Sequence, residues 1–169
     1  MEQNRTPKCA VVGYGSWATA IVKTLTTNRH HINWLVLNEE ILQSLEQRGR
    51  NSKYLPWCDI DKGYFTASSD INAVVEDADI VIMAMPSAYM KKFLEPLTVD
   101  LSNKIVVSVV KGIIPGDYLT IVEHIHRYYN VPMQNLCVVT GPSHAEEVAQ
   151  GRLSYLTVAA EDKSTAESV

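Results

Sequence analysis

Two glycines and an alanine stand at a spacing that is typical of phosphate-binding loops. The stretch VVGYGSWATA places Gly13, Gly15 and Ala18 in a G-x-G-x-x-A pattern directly after an apolar run. Between a strand and a helix, the first glycine makes a tight turn and the second lets a phosphate approach the backbone, while a small third residue lets the helix pack closely on the strand. The pattern is weak by itself, because an ordinary turn between a strand and a helix can share it.

The residues after the second glycine strengthen the interpretation as a binding loop. A helix that begins near Ser16 has free N–H groups and a partial positive charge at its first turn. We expect the N–H groups of Ser16 and Trp17 to face a diphosphate. Together with the strand before it and the helix after it, the motif predicts a dinucleotide site at Gly13, Gly15, Ser16 and Trp17.

A polar tetrapeptide, Leu37-Asn38-Glu39-Glu40, follows the second predicted strand. A dinucleotide-binding unit usually has an acceptor for the ribose hydroxyls at this place. Asn38 or Glu39 can serve as that acceptor, and all three polar residues can equally cap the next helix. The tetrapeptide has no Arg to pair with a 2′-phosphate, and its two carboxylates would repel one. It therefore favours NAD over NADP.

The residues after the later strands are candidate ligand contacts, because ligands of doubly wound sheets bind outside the carboxyl ends of the strands. Pro86 follows the apolar run DIVIMA and is expected to border the cofactor, with Ser87 as a candidate helix cap. Lys111 follows KIVVSVV, where partial desolvation would suit phosphate binding or polarisation of a carbonyl group. Purely structural roles for these residues, including a lysine that extends into water, stay open.

The segment GPSHAEEV follows another apolar run, LCVVT. Ser143 and Glu146 fit a capping box, which predicts a helix whose N-terminus is a second anion site, although a capped helix needs no ligand. His144 is a candidate acid or base, but a surface position is the more common one for such a residue. His124 and His126 are two positions apart on a predicted helix and do not face each other, so we predict no metal site.

The predicted elements alternate in the way that a parallel sheet covered on both faces requires, which predicts a Rossmann-like, doubly wound α/β fold. Strands are expected at about 8–12, 32–37, 64–67, 79–84, 104–110, 136–140 and 153–160, and helices at about 16–29, 39–48, 70–77, 87–95 and 117–129. In the last helix, Tyr118 begins the apolar face. The longest loop spans 49–63, and a long ordered loop is usually functional. The final residues, EDKSTAESV, resemble the first turn of another helix.

Composition limits the classes of protein and partner. A chain of 169 residues with 46% hydrophobic and 20% charged residues is expected to form one domain over residues 1–169. A net charge of −4 gives no reason to expect nucleic acid or an anionic membrane as a partner. No apolar segment approaches the roughly 18 residues of a membrane span. The three separated cysteines predict reduced, buried thiols and a cytoplasmic protein.

Four stretches together carry a resemblance to a known family: GYGSWATA, NSKYLP at 51–56, VKGI at 110–113 and GPSHAEEVA at 141–149. In order and spacing they resemble the bacterial NAD(P)-dependent glycerol-3-phosphate dehydrogenases. The resemblance implies hydride exchange between NAD or NADP and the pair sn-glycerol 3-phosphate and dihydroxyacetone phosphate, which would feed phospholipid synthesis. It also implies a small-molecule substrate and a longer protein that can be a homodimer. The family's all-helical second domain is absent from this chain.

The resemblance also assigns roles to individual residues. Ser16 and Trp17 would contact the cofactor diphosphate, Ala145 would contact the cofactor, Lys111 both cofactor and substrate, and Gly141 and Ser143 the substrate; the segment 54–56 would lie near the adenine. The family usually has Gly at the position of Ala18, and its second domain supplies a second catalytic lysine. We therefore expect these 169 residues to bind dinucleotide but to turn over substrate poorly or not at all.

Three other functions remain open on the sequence alone. The chain can be a dinucleotide-sensing regulatory module, because a Rossmann fold does not specify chemistry. It can also belong to a hydroxy-acid or imine dehydrogenase with the same two-domain plan, although KGI and GPSHAEEVA favour glycerol phosphate. A domain that binds no ligand would leave the unusual residues at three strand ends without a function.

Overall fold

The computed structural model describes residues 6–169, which form a seven-stranded sheet in the order β3-β2-β1-β4-β5-β6-β7. Strands β1 to β6 are parallel, and β7 is antiparallel to β6. The strands are β1 (Cys9–Val12), β2 (Ile32–Leu35), β3 (Phe65–Ser68), β4 (Ile80–Met83), β5 (Ile105–Ser108), β6 (Leu136–Thr140) and β7 (Thr157–Ala160). The predicted doubly wound, mostly parallel fold is confirmed.

Seven helices connect and cover these strands in the described part of the chain. They are α1 (Ser16–Thr27), α2 (Glu39–Arg48), α3 (Ile71–Val75), α4 (Met90–Leu94), α5 (Ile121–Tyr129), α6 (Ala145–Ala149) and α7 (Lys163–Ser168). Single turns of 3-10 helix occur at Lys62–Tyr64, Ser87–Tyr89 and Met133–Asn135. The predicted helix over 87–95 is therefore one 3-10 turn followed by α4.

The core consists of two apolar layers, one on each face of the sheet. Alternate residues of β1 point to opposite faces: Cys9 and Val11 pack with α1, α2 and α6, whereas Ala10 and Val12 pack with α3, α4 and α5. Burial on both faces explains why the central strands are continuous apolar runs rather than alternating ones. All three cysteines are free and buried, as predicted.

Several strands end earlier than the sequence predicts, and the register gives the reason. Val12 is the last paired residue of β1, and it lies opposite Leu35 and Met83, while Met83 lies opposite Ser108. A strand cannot continue its ladder beyond its partner, so four strands stop at one row. The segments that follow these four strands therefore all leave the sheet along the same carboxyl edge. The predicted site residues lie in these segments.

Helix α5 begins four residues later than predicted. Its N-cap is Thr120, whose side chain accepts a hydrogen bond from the Glu123 N–H, while the Glu123 carboxylate accepts one from the Thr120 N–H at 2.8 Å. Tyr118 lies before this capping box with φ +56° and is 78% exposed, so it contributes nothing to the apolar face. Between residues 6 and 169, no helix is both long and apolar enough to span a membrane.

Candidate functional site

The two glycines of the loop between β1 and α1 have different tasks. Gly13 has φ +125°, and a Cβ atom there would lie 2.5 Å from the carbonyl oxygen of Ala84, so only glycine fits where the loop crosses β4. Gly15 has an ordinary φ of −73°, and a Cβ atom there would meet no other atom within 4 Å. Gly13 therefore shapes the turn, and Gly15 leaves open space beside the backbone.

The start of α1 presents N–H groups to that space. Gly15 is the N-cap, and its carbonyl accepts the first helical hydrogen bond, from Thr19 N at 2.9 Å. Within residues 6–169, no group accepts a hydrogen bond from the N–H of Tyr14, Gly15, Ser16 or Trp17. These donors and the positive end of the helix dipole suit an anion, and the open backbone at Gly15 gives it room.

A cleft of about 950 Å³ opens beyond the carboxyl ends of β1, β4 and β5. It lies at the point where the chain order of the sheet reverses, between β1 and β4, which is where ligands of this fold class bind. Its volume is within the usual range for cofactor sites. Seven of the predicted site residues line it: Gly15, Ser16, Trp17, Pro86, Lys111, Ser143 and Ala145.

A smaller cavity of about 290 Å³ adjoins the cleft and shares Trp17, Lys111 and Ser143 with it. Gly141 lines this second cavity. Its φ of +145° is a glycine conformation, and a Cβ atom would collide with the carbonyl oxygen of Tyr155. The fold thus brings the residues around Lys111 and those around Ser143 together at the cleft and the adjoining cavity.

Lysines on this side of the sheet differ in their partners. Lys91 donates to Asp117 at 2.7 Å, whereas Lys111 is exposed and forms no ion pair with any residue between 6 and 169. Of the two alternatives for Lys111, its exposure fits a lysine that extends into water, because β5 ends at Ser108 and the next residues carry the side chain out of the sheet. Its charge is available to an anion in the cleft.

Comparison with known proteins identifies the family. The sequence profile described as "NAD-dependent glycerol-3-phosphate dehydrogenase N-terminus" matches residues 8–166. The chain belongs to this family. Among similar curated proteins, a glycerol-3-phosphate dehydrogenase [NAD(P)+] of Halothermothrix orenii is 34% identical over 166 residues, which is 96% of this chain and 47% of that protein. Its counterpart in Halalkalibacterium halodurans is 31% identical over 162 residues, which is 95% of this chain and 46% of that protein.

Solved structures of glycerol-3-phosphate dehydrogenases share the fold. The enzyme of Coxiella burnetii superposes with a TM-score of 0.82 at 22% identity, covering 96% of this chain and 49% of that one. The enzyme of Saccharomyces cerevisiae has a TM-score of 0.81 at 25% identity, covering 92% of this chain and 48% of that one. The chain therefore spans about half the length of these members of the glycerol-3-phosphate dehydrogenase family.

One predicted site residue of this family member, Asn38, has a structural role in the described chain. Asn38 caps α2, because its Oδ1 accepts a hydrogen bond from Ile41 N at 3.1 Å. Asn38 does not line the cleft, although its neighbour Leu37 does. The capping alternative therefore holds for Asn38, and a hydrogen bond between its side chain and a ribose stays a prediction.

Two predicted caps are wrong. Helix α6 begins at Ala145, and its N-cap is His144, which has extended backbone angles (φ −111°, ψ 136°) and makes no side-chain cap. The helix thus starts one residue too late for a Ser143–Glu146 box. Ser87 likewise makes no cap, because it lies inside the 3-10 turn after Pro86.

Sequence reasoning missed several residues that shape the site. Tyr14 lines the cleft and stacks on Phe93 at 5.8 Å between ring centroids, and Lys92 lines the same cleft. Asn51, in the predicted functional loop, is fully buried and bonded to the glycine loop. The motif NSKYLP in this loop contributes to the family resemblance, but nothing in the motif indicates which segment the Asn51 side chain contacts.

Proposed function

We propose that this chain is the cofactor-binding part, over residues 1–169, of a cytoplasmic NAD(P)-dependent dehydrogenase that interconverts sn-glycerol 3-phosphate and dihydroxyacetone phosphate. Membership of the family supports this proposal. The observation that carries it is the convergence of the glycine loop with Lys111 and Ser143 on one cleft. A domain without ligands would have no reason to place free N–H donors and an unpaired lysine together.

The cofactor is held chiefly by the glycine loop in this proposal. The N–H groups of Gly15, Ser16 and Trp17 donate to the diphosphate, and Pro86 and Ala145 form apolar parts of the wall. When bound, the nicotinamide ring accepts or supplies the hydride. Among residues 6–169, no cluster of three or more His, Cys, Asp or Glu side chains is placed to hold a metal ion.

Lys111 is proposed to act on the substrate side. Its ammonium group can bind the substrate phosphate or donate to the oxygen that gains negative charge as the carbonyl is reduced. Gly141 and Ser143 lie beside Lys111 in the adjoining cavity and would contact the substrate there. The relatives are about twice as long as this chain. We propose that the remaining substrate contacts, including a second lysine, belong to a second domain.

The proposal favours NADH over NADPH. Glu39 and Glu40 form the first turn of α2, next to Leu37, which lines the cleft. Their carboxylates would repel a 2′-phosphate on the adenosine ribose, whereas ribose hydroxyls can donate to them. Lys53 offers a nearby positive charge, but Glu40 binds it at 2.8 Å.

Calorimetric titration of the 169-residue chain with NADH and NADPH tests the proposal. We expect saturable binding of one dinucleotide per chain, tighter for NADH. Absence of binding for both cofactors would refute the cofactor role. A parallel assay with dihydroxyacetone phosphate should show little or no NADH oxidation, and turnover at the rate of the longer relatives would refute the need for a second domain.

A fused protein separates the enzyme from a sensing module. Residues 1–169 are joined to the second half of the H. halodurans relative, and Lys111 is changed to Met. If the chain is part of an enzyme, the fused protein turns over substrate, and its Lys111→Met variant loses turnover and substrate affinity while still binding NADH. If the chain is a sensing module, neither the fused protein nor its Lys111→Met variant turns over substrate.

A further inference from the structure

Two buried side chains from distant parts of the chain bind the carbonyl groups of the glycine loop. The indole Nε1 of Trp34, in β2, donates to the Gly13 carbonyl at 2.7 Å. The Nδ2 of Asn51 donates to the Tyr14 carbonyl at 2.9 Å. Both Trp34 and Asn51 are 0% exposed, so neither can contact a ligand directly.

These two hydrogen bonds determine where the next N–H groups point. In a trans peptide unit the C=O and N–H bonds point in opposite directions, and every described peptide bond is trans. When the carbonyls of Gly13 and Tyr14 are held towards the interior, the N–H groups of Tyr14 and Gly15 point away from it. Both residues adjoin the cleft, where Tyr14 and Gly15 line the wall.

Asn51 also connects the glycine loop to a second part of the cleft wall. Besides its bond to Tyr14, its Nδ2 donates to Thr19 Oγ1 at 2.9 Å, while its Oδ1 accepts from the N–H groups of Lys53 and Tyr54 at 3.1 and 3.0 Å. Its amide group is therefore fully used. Tyr54 lines the cleft, so one buried side chain holds two segments of the wall in a fixed relation.

We propose that Trp34 and Asn51 are positioning residues that orient the loop's N–H groups towards a bound diphosphate before the ligand arrives. The inference rests on the proposed cofactor role of this cleft. Donors that are already oriented lose no free energy to reorientation on binding, so they contribute more affinity than mobile ones. Neither residue touches the ligand: Trp34 acts through the backbone from Gly13 to Gly15, and Asn51 acts through the same backbone and through the segment at Tyr54.

The variants Trp34→Phe and Asn51→Ser test this role. Trp34→Phe removes the indole donor and keeps a ring that packs edge-on against Phe65, and Asn51→Ser removes the amide. We expect each change to weaken binding of ADP-ribose and NADH about 10-fold, the scale of a lost oriented contact. Trp34→Phe should leave the weaker affinity for adenosine, which lacks the diphosphate, unchanged.

Asn72 offers a matched control with the same chemistry outside the cleft. Its Nδ2 donates to the Pro96 carbonyl at 2.9 Å, and its Oδ1 accepts from Thr98 N at 2.8 Å and Val99 N at 3.1 Å. Both Asn51→Ser and Asn72→Ser should lower the melting temperature, but Asn72→Ser should leave the affinity for ADP-ribose unchanged. Equal weakening by Asn51→Ser and Asn72→Ser would overturn the proposal, because the effect would then be one of general stability.

A measurement on the unchanged protein covers the case in which the variants do not fold. Hydrogen exchange of indole N–H groups compares Trp34 with Trp57, which is 47% exposed. We expect the Trp34 indole to be strongly protected without ligand and Trp57 to exchange rapidly. Protection of Trp34 that arises only when ADP-ribose is added would overturn the proposal.

The same data separate the two claims. If the unchanged protein binds neither ADP-ribose nor NADH, the proposed cofactor role fails. If it binds both, and the Trp34 and Asn51 variants bind them equally well, only the positioning role fails.

Discussion

The glycine loop and the segment that carries Lys111 lie on the same cleft but differ in how firmly the rest of the chain holds them. In the loop, buried donors bind successive carbonyls, and Gly13 is pressed against Ala84. Beyond β5, Lys111 and Ile113 are exposed, and Asp117 ties the segment to α4 and α5 through Lys91 and His124. The glycine loop is thus held by buried contacts, whereas the Lys111 side chain is exposed and does not pack in the core.

This difference separates stability from binding. A change in the buried part of the loop must disturb the fold and the diphosphate site together. A change at Lys111 removes charge from the cleft and leaves packing intact. The two glycines of the loop show the same division over a distance of two residues, because only Gly13 is enclosed by other atoms.

The largest expected effect is that of Gly13→Ala. The new methyl group would collide with the Ala84 carbonyl, and φ +125° is strained for any L-residue, so we expect a loss of about 3 kcal/mol or more in the free energy of unfolding. Urea denaturation measures it. Gly15→Ala is the control: we expect stability to change by less than about 0.5 kcal/mol but NADH affinity to fall about 10-fold. Equal stability of the two variants would contradict the division between them.

Lys111→Met should affect binding alone. Because Lys111 is exposed and forms no ion pair with a described residue, we expect the melting temperature to stay within a degree or so, while the affinity for NADH falls about threefold. The loss should shrink at high salt, since it is electrostatic. Lys163→Met, at a remote exposed site, serves as the control and should not change affinity. A large drop in melting temperature for Lys111→Met would show that the segment is held by this side chain.

Glu40→Gln should change the choice between cofactors. It releases the ammonium group of Lys53, which Glu40 binds at 2.8 Å, and removes a negative charge from the helix turn beside Leu37, where the proposal places the ribose. We expect NADPH affinity to rise about threefold relative to NADH, the modest scale of an exposed ion pair. Paired titrations with the two cofactors measure this ratio. An unchanged ratio would mean that the 2′ position of the ribose lies elsewhere.

The smallest expected effect concerns His124, which binds Asp117 in the segment that follows Lys111. Burial lowers the pKa of His124, an effect that its hydrogen bond to Asp117 opposes, and Tyr128 and Tyr129 pack on its ring. The unfolded chain therefore binds a proton more readily, so stability should decline as pH falls below about 6.5. The lowered pKa of Asp117, caused first by Lys91, acts only at more acidic pH.

The variant His124→Gln tests this dependence. It should flatten the decline in the free energy of unfolding between about pH 7.5 and 5.5, a window set by the ordinary histidine pKa. His31→Gln, at an exposed position, should retain the decline seen in the unchanged protein. A decline that is the same with and without His124 would assign it to other groups.

Local patterns predicted the parts of the fold and site that depend on neighbouring residues. The glycine pattern placed the turn at Gly13 and the start of α1 at Ser16, because strand, turn and helix are adjacent in sequence. Alternation of apolar runs predicted the parallel sheet. The rule about the carboxyl ends of strands then predicted that Lys111 and Ser143 meet the loop at one cleft.

Tertiary contacts determined the rest. Strand ends depend on the row at which neighbouring strands stop pairing, which no single strand's sequence contains. Asn51 binds a carbonyl 37 residues away, so its role cannot be read from its neighbours. The start of α6 at Ala145, rather than after a Ser143 cap, depends on an extended backbone at His144. The cap of α5, in contrast, depends on neighbouring residues only and is visible in the sequence as Thr120-x-x-Glu123.

The central claim is that the N–H groups at the start of α1 receive the diphosphate of a dinucleotide. Two-dimensional amide spectra of the ¹⁵N-labelled chain, recorded during titration with ADP-ribose, test it most directly. We expect the largest shifts at the amides of Gly15, Ser16 and Trp17, with the indole signal of Trp34 unmoved. Saturable binding that leaves these three amides unshifted would contradict the account.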